Sequence, residues 1–151
     1  MAEEVSSQLT ETLLHKLQEE PYALLATVDA ETGIPVVNAV SWIFAPNEKH
    51  LRVAVGHRSR VIANVKANPA VTITLIGPET TYSIVGRARV AHERLQGVQI
   101  KAVGIVIDIE KVDDVMFHGG QVVKEPQYTK TYDREAAEKL DRQVMEAIKR
   151  G

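Results

Sequence analysis

Apolar residues recur along this chain with two different spacings, and the change of spacing marks out its elements. Near the start, Leu9, Leu13, Leu14 and Leu17 share one face of a helix over residues 6–19, with Gln, Glu and Lys opposite. Ser6 or Ser7 is placed to cap that helix, and Pro21 ends it. Near the finish, Ala137, Leu140, Val144, Ala147 and Ile148 form the stripe of a second amphipathic helix, Asp133 to Lys149, with Asp133 as its cap. Between them the rhythm is that of strands: Tyr22–Asp29, Ile34–Ala45, His50–Val55, Ala70–Ile76, Thr81–His92 and Ile100–Val112.

Short loops with turn chemistry separate most of these runs. Asp29-Ala30-Glu31-Thr32-Gly33, Pro46-Asn47-Glu48-Lys49 and Gly77-Pro78-Glu79-Thr80 are examples, and such loops predict antiparallel neighbours. Six short-looped strands ordinarily close on themselves, because closure removes exposed edges. The expected fold is therefore mainly β: one domain over residues 1–151, a six-stranded antiparallel β-barrel at about 22–112 with added helices. The run Ile34–Ala45 is apolar on both faces and predicts a wall covered on both sides. Asn38 and Ser41 interrupt it, and polar groups in such a wall need a backbone or ligand partner. Gly86, inside the fifth run, predicts a bend or a close approach.

One stretch departs from both rhythms. Gly56-His57-Arg58-Ser59 leads from the third strand into a short helix that must stop at Asn68-Pro69. Free N–H groups at the start of this helix, the Ser59 hydroxyl and the guanidinium groups of Arg58 and Arg60 can converge on one anion, of which phosphate is the natural example. The same residues also suit a plain capped connector with solvated arginines. His57 stands beside them, either as a further phosphate contact or as a solvated turn residue.

Composition narrows the chemistry. The chain has 151 residues, a formal net charge of −2 and a pI near 6.2, so it lacks the basic footprint expected for nucleic acid or an anionic membrane. The absence of cysteine excludes thiol nucleophiles, thiolate haem ligation and cysteine zinc sites. Among His15, His50, His57, His92 and His118 no pair has the helical i, i+4 spacing of a zinc site, so no metal is expected. The Gly-x-Ser-x-Gly elbow, the Gly-x-Gly-x-x-Gly fingerprint and the P-loop are all missing. With an acidic N-terminus and no long apolar run, the expected location is cytoplasmic. Residues 113–132, which include His118-Gly119-Gly120, are expected to lie over the barrel mouth or a neighbouring subunit.

The order of these motifs resembles the pyridoxamine 5′-phosphate oxidase-like family of FMN-binding split barrels. The resemblance rests on Gly33-Ile34-Pro35-Val36-Val37, on Ser59-Arg60 with Asn68-Pro69, and on Val85-Gly86-Arg87-Ala88, and it covers Tyr22 to Val112. It implies a homodimer holding FMN in a groove between two barrels. It places the family's phosphate-binding pair on Ser59 and Arg60, with Val61 where a lysine is usual and Arg58 or His57 able to supply the missing charge. It places the ring-lining segment on Asn38, Ala39, Val40 and Ser41, backbone contacts on Ala54 and Val55, and a polar ring contact on Thr81. The arginine-bearing C-terminal segment of the oxidase proper is replaced here by the helix Asp133–Lys149, so oxidation of pyridoxamine phosphate is not implied. The expectation is a small flavin-dependent oxidoreductase acting on a small molecule. The alternative is a non-catalytic binding protein for flavin, F420 or haem.

Overall fold

A computed structural model describes residues 3–151. Its elements, in chain order, are β1 (Glu3–Ser6), α1 (Glu11–Lys16), β2 (Ala23–Val28), β3 (Pro35–Val40), β4 (Ile43–Asn47), β5 (His50–Gly56), α2 (Arg60–Ala67), β6 (Ala70–Ile76), β7 (Thr81–His92), β8 (Ala102–Asp114) and α3 (Arg134–Arg150). Among the described residues the strands number eight, not six, for two reasons. A short strand, β1, precedes α1 and pairs with the far end of β8. The run Ile34–Ala45 is broken after Val40, so that β3 pairs with β2 while β4 pairs with β5.

All eight strands belong to one antiparallel sheet with the path β3-β2-β6-β7-β8-β5-β4, and β1 joins it at β8. The two ends of that path, β3 and β4, are consecutive in the chain but take different partners. The sheet thus curls round until its ends meet at the Ser41-Trp42 break, where Ser41 C=O accepts from the Ile43 N–H and Trp42 C=O from the Ala54 N–H. The result is a split barrel, mainly β, in the sense the sequence implied.

Side-chain alternation fills its interior. Leu25, Ile43, Leu51, Val53, Ile73, Leu75, Ile84, Ile105 and Ile107 are fully enclosed, each burial contributing roughly 1.5–3 kcal/mol. The expected alternation of β8 holds from Val103 to Ile107 and then slips: of the two register shifts in the β7–β8 pair, the one between Val85 and Gly86 moves the inward phase to Val112. Gly86 lies at one of these shifts, and a Cβ there would run into the Asp108 carbonyl oxygen. The close approach inferred from its place in the strand is thereby identified.

Two helices close the barrel from outside. Leu9, Leu13 and Leu17 pack into the main core, as their spacing requires, but the helix is shorter than residues 6–19. Thr10, whose Oγ1 accepts from the Leu13 N–H at 3.3 Å, is its cap in place of Ser6 or Ser7. α3 begins where expected, its cap Asp133 accepting from the Ala136 N–H. It lays Val144, Met145, Ala147 and Ile148 on Ala54, Leu95, Val98 and Ala102, with Trp42 and Phe44 at the edge of the patch. None of the described helices is long and apolar enough to cross a membrane.

β3 differs most from its expected surroundings. A wall covered on both faces was the expectation, yet Pro35, Val37, Asn38 and Ala39 are exposed and Val36 and Val40 only partly covered. The reason is topological: β3 is the terminal strand of the sheet path, with β2 on one side and no strand on the other.

Candidate functional site

Ser59 owes its position to two constraints on α2. Its φ and ψ of −66° and 134° are those of a residue outside the helix, and its Oγ accepts from the Val61 N–H at 3.2 Å, which makes it the N-cap. One turn apart on the same helix face, Arg60 and Asn64 fasten α2 to the β2–β3 hairpin. Arg60 donates from Nε and Nη2 to Asp29 Oδ1, at 3.2 and 2.8 Å. The buried Asn64 donates from Nδ2 to Thr27 Oγ1 at 3.0 Å and accepts the Ala30 N–H at 2.9 Å. The start of α2 is therefore held at a fixed distance from β3, the strand that hairpin presents.

Between them runs a groove of about 290 Å³ lined by Asn38, Ala39, Val40, Ser41 and Trp42 on one side, and by Ala54, Val55, Gly56, Ser59 and Val61 on the other. Seven of the eleven residues singled out from the sequence meet here: Asn38, Ala39, Val40, Ser41, Ala54, Val55 and Ser59. Asn38 is exposed at its rim, so it does not face the burial problem that its place in an apolar run suggested.

The other four lie elsewhere. His57 and Arg58 are exposed on the turn just before Ser59, where the His57 N–H donates to the Lys101 carbonyl. Arg60 points to Asp29 and is not among the groove's lining. The Arg60 guanidinium, together with the Thr32 and Glu31 amides, holds the Asp29 carboxyl far below the usual carboxylate range. Thr81 is three strands along the sheet from β3, about 14 Å at the usual strand spacing, and its hydroxyl faces the Met116 sulfur at 3.7 Å.

The sequence reading missed two contributors. Trp42 follows directly after the predicted segment and lines the groove; its indole Nε1–H donates to Asp141 Oδ1 of α3 at 2.8 Å. Asp141 sits inside the apolar stripe of α3, 8% exposed, and also takes the Lys130 ammonium at 3.0 and 3.2 Å. A signal for both existed. Asp141 lies four residues after Ala137 and three before Val144, a position that buries it, and the chain's single tryptophan needs a partner for its N–H when covered.

Residues 113–132 fold over their own barrel end. The Val115 N–H donates to the Thr81 carbonyl, the Val122 N–H to the Glu79 carbonyl, and the Tyr128 hydroxyl to the Glu20 carbonyl at 3.0 Å. His118 stays on the surface.

A larger cavity, about 570 Å³, opens on the outer face of β5, β8 and β7 beside the end of α3. Its polar groups serve the helix end: Arg52 donates to the Ile148 and Lys149 carbonyls, and His92 Nε2 lies 2.7 Å from the Gly151 carbonyl oxygen. The smaller groove, which gathers the predicted residues, is the candidate site.

Comparison with known proteins agrees with this architecture. The family model described as pyridoxamine 5′-phosphate oxidase matches residues 9–147, and the chain belongs to that family. Comparison with curated protein sequences returns no significant match. Among solved structures, a presumed pyridoxamine 5′-phosphate oxidase of Lactobacillus delbrueckii is similar at 22% identity and a TM-score of 0.61, over 70% of this chain and 93% of that one. HupZ of Group A Streptococcus is similar at 19% identity and a TM-score of 0.58, over 76% and 99% of the two chains. An F420 reductase is similar at 22% identity and a TM-score of 0.58, over 69% and 98%.

Proposed function

We propose that the groove between β3 and the start of α2 holds FMN and that the protein is a small flavin-dependent oxidoreductase. One observation carries this reading. Ser59 at a helix start and the apolar wall Ala39–Trp42 line the same groove, so an anion site and a slot for a flat ring system occur together. FMN, when bound, supplies the electron-transfer chemistry, and the protein supplies position and electrostatics. In this reading the Ser59 hydroxyl, the Arg60 N–H at the start of α2 and the Arg58 guanidinium receive the phosphate. Val40, Trp42, Ala54 and Val55 flank the rings, while Asn38 and Ser41 offer hydrogen bonds to the polar edge. A second copy of the chain covers the exposed β3 edge, and Thr81 joins the site only across that interface.

The test is a titration of purified protein with FMN, followed by flavin fluorescence and calorimetry. Ser59→Ala and Arg58→Ala are expected to weaken binding about tenfold each, the order of a lost charge-assisted hydrogen bond. Arg89→Ala, in the other cavity, is expected to leave binding unchanged. No binding to the parent protein would sink the proposal.

A specific observation favours the second reading, a binding protein without turnover: no titratable side chain lines the groove. Stopped-flow mixing of the FMN-loaded protein with NADH, NADPH and a panel of reduced substrates separates the two, and failure of every reductant supports the binding role. F420 shares the same requirements for an anion site and a flat slot. Haem is the weaker occupant, since no histidine lines the groove to ligate iron and the nearest, His57, lies outside it.

A further inference from the structure

Beside the groove, and sharing Ala39, Val40 and Ser41 with it, lies a second slot of about 230 Å³. Its walls are aromatic. Tyr22 and Tyr128 stand with ring centroids 6.2 Å apart and planes tilted by 41°, and Tyr132 completes the rim. Tyr132 is 52% exposed at the mouth of the slot, while Tyr128, 43% exposed, already has Tyr22 and Lys130 against its ring. The walls are also fixed, because the Tyr128 hydroxyl is bonded to the Glu20 carbonyl and Lys130, 5.6 Å from the Tyr128 centroid, is tied to Asp141.

The charges decide what kind of ring fits. The Lys130 ammonium, which lines the slot, meets the two Asp141 oxygens at 3.2 and 3.0 Å and lies over the Tyr128 ring. Asp141 in turn accepts from Lys130 with both oxygens and from the Trp42 indole with Oδ1. Burial works against the Lys130 charge, but the hydrogen bond and charge of Asp141 outweigh it and hold the ammonium above its ordinary pKa. The Glu20 carboxyl also couples to Lys130, so the slot offers aromatic side chains and an ammonium whose charge its acidic neighbours offset.

We infer that this slot is a second-ring subsite, and that it takes a flat, uncharged aromatic molecule bearing a carbonyl group on its edge. The inference depends on the FMN reading only for the ring this molecule would face across Ala39–Ser41.

Coumarin and coumarin-3-carboxylate, the same ring without and with a negative charge, are suitable probes. Trp42, the only tryptophan, lines the adjoining groove, shares Asp141 with Lys130 and reports by its fluorescence, with calorimetry as the independent measure. The parent protein is expected to bind coumarin at least fivefold more tightly than the carboxylate. Tyr132→Ala, a change at an exposed residue, should weaken coumarin at least fivefold and keep FMN within twofold. Asp141→Asn keeps an oxygen for the Trp42 indole while freeing the Lys130 charge, and should tighten the carboxylate about tenfold. A parent that prefers the carboxylate, or coumarin binding indifferent to Tyr132→Ala, overturns the subsite even where FMN binds well. Tyr132-dependent coumarin binding in a protein that does not bind FMN leaves the subsite standing and removes the cofactor reading.

Discussion

Asp29 collects the Glu31 and Thr32 amides, the Thr32 hydroxyl and the Arg60 guanidinium, and so couples a hairpin turn to the start of α2. A phosphate beside Ser59 would compete with Asp29 for that guanidinium. Asp29→Asn, which keeps the turn's hydrogen bonds, is therefore expected to tighten FMN binding several-fold in a calorimetric titration. Since the carboxyl is held below its ordinary range, the tie contributes fully above the pKa of an unfolded aspartate and is lost only as pH falls through the lower, folded value. Glu20 behaves in the opposite sense. Burial first, and then the charge of Asp141, raise its pKa, so its ionised form opposes folding at neutral pH. Glu20→Gln should raise Tm at pH 7 and give no gain at pH 4, while the bond from Tyr128 to the backbone carbonyl survives. At Asn64 no such gain is available. Asn64→Ala leaves the Thr27 hydroxyl and the Ala30 N–H without their partner and is expected to cost about 2–3 kcal/mol in denaturant unfolding.

At the scale of elements, what the sequence disclosed and what it concealed divide along physical lines. Helices bounded by strong signals were readable: Asp133 starts α3 and Asn68-Pro69 stops α2 as their chemistry demands. The break between β3 and β4 was not readable, because Ile34–Ala45 is apolar throughout and a change of pairing partner leaves no mark on local pattern. The same break explains why the lining of the candidate groove was foreseen only in part. Asn38 to Ser41, Ala54, Val55 and Ser59 came from motif order, which survives in sequence. The junction of Trp42, Lys130 and Asp141 joins residues up to 99 positions apart and depends on how α3 docks. Gly86 shows the reverse case, a single residue whose position in a strand foretold a contact. Gly86→Ala must displace the Asp108 backbone and is expected to cost at least about 2 kcal/mol, measured by chemical denaturation.

At the scale of the molecule, Ile34 and Val37 are 58% and 59% exposed on or beside a terminal strand that also borders the groove. Covering them with a second copy would protect the sheet edge and enclose the groove together. The chain is therefore expected to sediment as a dimer, and Val37→Lys to shift it toward monomer with weaker FMN binding. A parent protein that stays monomeric at tens of micromolar in analytical ultracentrifugation would remove this arrangement.

The terminal position of β3 has one more effect. Its alternate peptide groups bond to β2, and those between them turn their N–H and C=O away from the sheet. Main-chain atoms that no substitution can delete are thereby left free along the groove's margin. A second copy that meets this edge strand to strand would be held by the peptide backbone as well as by Ile34 and Val37, so part of that contact is independent of the side chains along β3.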